Sequence, residues 1–105
     1  MKNAVGVAIA TEAQILSVER FSREFGSALN ALRSELHLNM RGLARATNNS
    51  LAWISYLERG QRVPTWSTVQ SLSSFFKEHG ACKKQVAVME TAARKMLLAR
   101  TFKDL

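Results

Sequence analysis

The chain has 105 residues, which is enough for one domain with a modest hydrophobic core and too short for two. It carries 15 Lys and Arg against 8 Asp and Glu, a net charge of +7 that favours nucleic acid as partner over an anionic membrane surface or an acidic protein. The single cysteine, Cys82, excludes an internal disulfide and a thiolate metal cluster, so we predict a cytoplasmic protein.

Residues 1–17 allow two interpretations, an N-terminal arm or an extension of the helix that follows. Thr11 and Gln14 are spaced as in a capping box, which would start a helix before residue 18. The apolar run at residues 4–10 is at the short limit for a secretory leader and charged residues follow it at once, so we expect no export. No stretch approaches the roughly 18 apolar residues of a membrane span, and we predict no membrane partner.

Apolar residues recur every three or four positions between residues 18 and 36, which predicts a helix with one buried face. Gly26 lies inside this helix, where glycine costs about 1 kcal/mol relative to alanine. It therefore marks either a close approach of another element or a weak point. The stripe consists of Val18, Phe21, Phe25, Leu29, Leu32 and Leu36.

Two short helices with a tight turn between them are predicted next. Asn39 is a good N-cap for the first, which ends near Thr47, and Ser50 caps the second, which Gly60 ends. Asn48 supplies the turn because asparagine tolerates the left-handed backbone region. Helices joined so closely must cross steeply. The side chains expected to seal their junction are Leu43, Ile54 and Leu57.

Two further helices complete the prediction of an all-α, five-helix fold. Pro64 and Thr65 are predicted to open the fourth helix, which Gly80 ends. The last helix spans about residues 82–100, and its apolar stripe either contacts a second subunit or closes the core of the domain. This stripe consists of Cys82, Val86, Met89, Ala93 and Met96.

The most specific pattern is the pair of short helices followed by a basic loop and the only proline. Its motifs are Leu43-Ala44, Ser50, Ile54-Ser55, Leu57-Glu58-Arg59-Gly60 and Pro64. In these positions the chain resembles the lambda-repressor-like helix-turn-helix family of Cro/C1-type and Xre regulators. The resemblance extends from about Phe25 to Phe76, half of the chain.

The resemblance implies a sequence-specific regulator, with repression as the expected direction, that binds double-stranded operator DNA as a homodimer. It implies a helix-turn-helix domain at residues 18–80. The C-terminal helix at residues 81–105 lies outside the resemblance and is, from its apolar spacing, a candidate dimerisation element. The residues expected to form that dimer contact are Val86, Met89, Ala93 and Met96.

Individual roles also follow from the resemblance. Arg33 and Glu58 hold the positions of an ion pair that ties the recognition helix to the first helix. The residues expected to contact bases are Leu51, Ala52, Ser55 and Tyr56. The residues expected to contact phosphates are Asn39, Met40, Ser50, Arg59, Gln61 and Arg62, with backbone amides at the two helix starts contributing.

Several positions depart from the family pattern. Met40 replaces a frequent glutamine and Asn48 replaces the turn glycine, while the polar Thr47 and Asn49 are expected to loosen the core of the motif. Leu51 and Ala52 lack the groups for bidentate hydrogen bonds to bases. Recognition of the DNA sequence would therefore depend on contacts with thymine methyl groups and on DNA shape.

An alternative function follows from those departures: a protein-interaction adaptor. In this interpretation a regulator or a toxin binds to the last helix or to an apolar patch on the recognition helix. A phage or plasmid repressor and an antitoxin have similar sequences at this level. The patch consists of Leu51, Ala52, Trp53 and Tyr56.

Catalysis has almost no support in the sequence. There is no glycine-rich phosphate loop, no metal-ligand cluster and no pair of nucleophile and base. His37 and His79 are far apart in the chain. We therefore predict no enzymatic activity, no metal and no cofactor.

Overall fold

Five α-helices make up the computed structural model, in which the backbone is described for residues 2–101 and the side chains for residues 15–100. They are α1 (Lys2–Glu35), α2 (Met40–Ala46), α3 (Leu51–Glu58), α4 (Trp66–Glu78) and α5 (Lys83–Thr101). No strand occurs between residues 2 and 101. The predicted all-α, five-helix class is confirmed.

The first helix is much longer than its apolar stripe. It starts at Lys2, so residues 2–17 extend the helix, and Thr11 lies inside it and does not cap it. The stripe itself is buried as predicted, with Phe25, Leu29 and Leu32 inaccessible to solvent. The periodicity located the buried face but not the start of the helix, because apolar periodicity reports burial and not helicity.

The turns around α2 and α3 are built by local side-chain hydrogen bonds. The Asn39 side chain accepts from the amide of Gly42 at 2.7 Å, and that of Ser50 accepts from the amide of Trp53 at 3.0 Å. Both predicted N-caps are confirmed. Asn48 adopts a φ of 56°, the left-handed conformation for which its residue type was singled out.

The polar residues beside Asn48 do not leave unpaired groups in the turn. The hydroxyl of Thr47 donates to the carbonyl oxygen of Leu43 at 2.8 Å. The amide nitrogen of Asn49 donates to the hydroxyl of Thr47 at 2.9 Å and to its carbonyl oxygen at 3.1 Å. The expected loosening at these two positions is therefore corrected, because the substituted polar groups satisfy one another.

The start of α4 differs by two residues from the prediction. Thr65 is the N-cap, and its hydroxyl accepts from the amide of Thr68 at 3.2 Å. The helix begins at Trp66, and the buried Pro64 precedes the cap. Gly80 ends α4 with a φ of +77°, as the sequence indicated.

The core contains fully buried side chains from every helix, and α5 lies along α1 over much of its length. Cys82 is exposed and precedes α5, so it is not part of the buried stripe. The remaining residues of that stripe were also expected to contact a second subunit. Within this chain they are fully buried, and their side chains belong to its own core: Val86, Met89, Ala93 and Met96.

Candidate nucleic-acid interface

Helix α3 has one face in the core and one face in solvent. Ile54 and Leu57 are fully buried on the inner face. Trp53 is half-buried and packs against the core. The outward positions are the four predicted base contacts, of which Leu51 and Ala52 are exposed and Ser55 and Tyr56 are half-buried. This brings the four predicted base-contacting residues together on one accessible surface.

The end of α3 lies directly on α1 at Gly26. A Cβ atom at residue 26 would come within 2.5 Å of the carbonyl oxygens of both Leu57 and Glu58. Of the two alternatives for this glycine, the close approach therefore applies. Since the neighbouring atoms are backbone, no side chain can rotate away to make room.

A buried ionic cluster fixes the same end of α3. Arg33 donates from Nε to Oε2 of Glu58 at 2.6 Å and from Nη2 to Oε1 at 3.0 Å. Its Nη1 donates to the carbonyl oxygen of Leu38 at 2.8 Å, and Asn30 donates to Oε1 of Glu58 at 2.8 Å. The Glu58 side chain is only 4% exposed and the Arg33 side chain 14%. The structure thus brings together the two residues expected to form an ion pair.

The hydrogen bond to Glu58 raises the pKa of Arg33 above its usual value, against the opposing effect of burial. Both oxygens of the carboxylate are bonded, and all three nitrogens of the guanidinium group donate. The cluster therefore connects α1, the loop before α2 and the last turn of α3 as one rigid unit. The recognition helix is held at a fixed angle to the rest of the domain.

The predicted phosphate contacts at the start of α2 and α3 have different surroundings. Asn39 and Ser50 are exposed, and each uses its side-chain oxygen as a cap. Met40 is half-buried and packs against the core, so its side chain is withdrawn from the surface. The first amide groups of a helix have no acceptor within it, so those that the caps do not bind are suited to an anion.

The loop after α3 carries the remaining predicted phosphate contacts. Arg59, Gln61 and Arg62 are exposed. Gly60 between them has a φ of +70°, and a Cβ there would come within 3.0 Å of the Cα of Arg23 in α1. The loop is therefore pressed against α1 and held in place, which presents its side chains on the same side as α3.

Two features of the site were not predicted from the sequence. Asn30 completes the hydrogen bonding of Glu58, and only its spacing of three residues from Arg33 on one helix could have indicated this. The guanidinium groups of Arg59 and Arg62 lie over the ring of Tyr56, with Cζ-to-centroid distances of 5.3 and 4.8 Å. The three-residue spacing of Tyr56 and Arg59 is compatible with such a contact. The path of the loop, which returns Arg62 to the ring of Tyr56, could not be predicted from the sequence.

Other kinds of site are not visible in the described residues. No three His, Cys, Asp or Glu side chains among residues 15–100 lie where they could hold a metal ion. Within residues 2–101, none of the helices combines the length and apolarity that crossing a membrane requires. The surface of α3 and its basic loop is thus the strongest candidate site.

Comparison with known proteins agrees with this architecture. The helix-turn-helix domain family matches residues 24–81, more than half of the chain. The chain belongs to the helix-turn-helix domain family. The matched segment runs from the buried part of α1 to the end of the turn after α4. It contains the contacting pair α2 and α3 and the ionic cluster between α1 and α3.

A solved helix-turn-helix protein has a similar fold. The clp gene regulator ClgR from Corynebacterium glutamicum superposes with a TM-score of 0.56 and 27% sequence identity, covering 80% of this chain and 84% of that one. The lambda-repressor-like helix-turn-helix fold, which the sequence predicted, is confirmed.

Curated relatives match a shorter segment. Uncharacterised HTH-type transcriptional regulators of Mycobacterium bovis and Mycobacterium tuberculosis are each 45% identical over 49 residues, 47% of this chain. The chain spans only 19% of the length of these relatives. The domain of this chain is therefore of the helix-turn-helix, DNA-binding type that occurs in transcriptional regulators.

Proposed function

We propose that this chain is a transcriptional regulator that binds operator DNA as a homodimer, with α3 in the major groove and repression as its action. The observation that carries the proposal is the outward surface of α3 and its loop. Arg59 and Arg62 are exposed there, and neither forms an ion pair with a carboxylate among residues 15–100. Unpaired guanidinium groups beside an accessible recognition helix suit a polyanionic duplex.

Phosphate contacts are assigned to side chains and to helix starts. Arg59, Gln61 and Arg62 would contact one strand after α3, while the amide groups beside Asn39 and Ser50 would bind phosphates at the starts of α2 and α3. Arg41 and Arg45, both exposed on α2, add positive charge nearby. These contacts position the domain on DNA without selecting a sequence.

Base contacts are assigned to the outward face of α3. Leu51 and Ala52 can contact thymine methyl groups, and the hydroxyls of Ser55 and Tyr56 can form hydrogen bonds with base edges. None of these side chains can make a bidentate contact of the kind that distinguishes guanine or adenine. A single domain would therefore discriminate weakly, and the shape of the DNA would contribute.

Weak discrimination by one domain is the reason for proposing a homodimer, because two half-sites multiply specificity. The apolar stripe of α5 is buried against the core of its own chain, so we assign this contact to the outer surface of α5. The accessible surface of α5 includes two large apolar side chains, Val88 at 51% and Leu98 at 58% exposure. Half-sites about 10 base pairs apart would indicate a two-fold dimer on one face of the duplex.

Titration of DNA binding against salt concentration tests the proposal. We expect selected duplexes to bind with an affinity that falls steeply with salt, since each phosphate contact adds about 0.9 to the slope of log K against log salt. Arg62→Ala should weaken binding to all sequences alike and lower the slope by about one unit. Absence of binding to any duplex at low salt would refute the proposal.

A matched control distinguishes the contribution of the loop to DNA binding from that of the protein's general positive charge. Lys77→Ala removes one exposed positive charge from α4, where Lys77 lies 3.6 Å from Glu90 of α5. We expect this variant to retain the wild-type slope, because its charge lies outside the proposed interface. Selection of bound sequences from a random pool would then report the operator and the half-site spacing.

The adaptor function gains little from the described contacts. Trp53, one of four residues in the apolar patch, packs partly against the core. Leu51, at 41% exposure, is the large apolar side chain of α3 that remains well exposed. A regulator or toxin partner would have to bind mainly to other surfaces, so DNA binding remains the function that this geometry supports best.

A further inference from the structure

Two arginine side chains contact the aromatic ring of Tyr56. Cζ of Arg59 lies 5.3 Å from the ring centroid, and Cζ of Arg62 lies 4.8 Å from it. Both distances are within the range of cation–π attraction. Arg59 is the C-cap residue of α3 and Arg62 lies in the loop beyond Gly60, so both charges come from the segment that follows the helix.

Each guanidinium group has a second attachment to the backbone. Nε of Arg59 donates to the carbonyl oxygen of Ser55 at 3.3 Å, and Nη1 of Arg62 donates to the carbonyl oxygen of Gln61 at 3.2 Å. Neither group pairs with a carboxylate among residues 15–100. Two like charges would otherwise repel each other at this spot, and attraction of both to the electron-rich ring offsets that repulsion.

From this arrangement, we propose that Tyr56 is a positioning residue whose ring holds Arg59 and Arg62 in place for DNA phosphates before DNA arrives. The inference rests on the proposed function and assigns the two ends of the side chain to different tasks. The ring aligns the arginines, whereas the hydroxyl, which has no hydrogen-bond partner among residues 15–100, remains free for a base edge.

Prior alignment matters because long exposed side chains lose conformational freedom when they bind. Arginine has several rotatable bonds, and immobilising such a side chain at an interface opposes binding. If the ring already restricts Arg59 and Arg62, less freedom is lost on DNA. Removal of the ring should then weaken binding to every sequence, because phosphate contacts carry no sequence information.

The test uses a random-sequence duplex at low salt, which reports phosphate contacts alone. Tyr56→Leu, which removes the ring, should lower the affinity about tenfold. Tyr56→Phe, which retains the ring and removes the hydroxyl, should recover most of that loss. Melting temperatures of both variants show whether the fold is intact, so an unfolded variant is not mistaken for a binding defect.

A double-mutant cycle separates positioning from a direct contact. In the Arg59→Ala/Arg62→Ala background, Tyr56→Leu should cause little further loss, because the ring has nothing left to align. An equal tenfold loss in both backgrounds would overturn the inference. It would also be overturned if Tyr56→Phe lost as much affinity as Tyr56→Leu, since the hydroxyl would then be responsible.

The two proposals fail in different ways. If the wild-type chain binds no duplex, the proposed function itself is wrong. If the wild type binds with a steep salt dependence but Tyr56→Leu retains the wild-type affinity for random DNA, only the positioning role is wrong. In that case Arg59 and Arg62 contact phosphates without help from the ring.

Discussion

Gly26 of α1 lies in direct contact with the backbone of Glu58, the last residue of α3. A Cβ at residue 26 would be 2.5 Å from the Glu58 carbonyl oxygen. The Glu58 side chain extends from the same point to Arg33, about two helical turns further along α1. Backbone contact and ion pair together fix both the distance and the angle between the recognition helix and α1.

Gly26→Ala should therefore destabilise the protein, although alanine is the better helix former. The helical preference contributes about 1 kcal/mol in favour of alanine. Overlap with two backbone carbonyls costs about 3 kcal/mol or more, because neither helix can move without losing other contacts. We expect a net loss of about 2 kcal/mol in the free energy of unfolding, measured with denaturant.

Ser27→Ala is the matched control for this substitution. Ser27 is the next residue of the same helix and is exposed, so alanine there should be neutral or slightly stabilising. If Gly26→Ala raised stability as Ser27→Ala does, the close contact between α1 and α3 would not exist in solution.

Arg33→Met should leave the buried carboxylate of Glu58 without its cation and with only Asn30 as a side-chain donor. Removal of one partner of a buried pair costs about 3 kcal/mol. The double substitution Arg33→Met/Glu58→Met removes both charges and should be less destabilised than the sum of the two single variants. Strict additivity of the two single effects would contradict a direct interaction.

The contribution of this pair should not change between about pH 6 and 9. The hydrogen bond to Glu58 raises the pKa of Arg33. A raised pKa in the folded state gives stability that is fully present at lower pH and is lost only when the pH rises through that pKa. The stability difference between wild type and the double variant Arg33→Met/Glu58→Met should therefore stay constant across this window in denaturant titrations.

Ser50 allows helix capping to be separated from DNA binding. Ser50→Ala removes the acceptor for the amide of Trp53 and should cost about 1 kcal/mol of stability. Ser50→Asp retains a capping oxygen and should keep most of the stability, because a negative charge is favourable at a helix start. In the proposed complex, however, that charge would face phosphate.

DNA affinity should consequently rank the two variants in the opposite order from stability. We expect Ser50→Asp to bind every duplex more weakly than Ser50→Ala does, and mobility-shift titrations can compare them directly. Equal affinities for the two variants would indicate that the start of α3 does not lie near the DNA backbone.

Gly60 and Gly80 provide a matched pair for the loop after α3. Their φ angles are similar, +70° and +77°, but only Gly60 has a close neighbour, with a Cβ contact of 3.0 Å to Arg23. Gly80→Ala should cost about 1 kcal/mol for the left-handed backbone, whereas Gly60→Ala should cost about 2 to 3 kcal/mol. Thermal unfolding measures both, and equal losses would argue against contact between the loop and α1.

Local sequence signals located most of the fold. Asn39 and Ser50 were recognisable as caps because capping requires only a short polar side chain at one position before a helix. Asn48 was recognisable as a turn residue for a similar local reason. The start of α1 was not readable, since residues 2–17 precede the apolar stripe and the capping box suggested by Thr11 and Gln14 lies inside the helix.

The candidate site was only partly predictable. The outward face of α3 followed from helical spacing and from the resemblance to a known family. Asn30 as a partner of Glu58, and the grouping of Arg59 and Arg62 on Tyr56, depend on where α1 and the loop pass in space. Spacing along one helix does not encode such paths.

The sequence by itself determined the number of helices, the caps of α2 and α3 and most positions that face the core, because each depends on residues within a few turns of one another. Only the tertiary structure decided whether the apolar stripe of α5 is buried within the chain. The stripe of α5 is equally compatible with a second subunit and with α1. The stripe is buried because α5 packs against α1 within one chain. This packing brings residues that are far apart in the sequence, such as Ser22 and Met96, into contact.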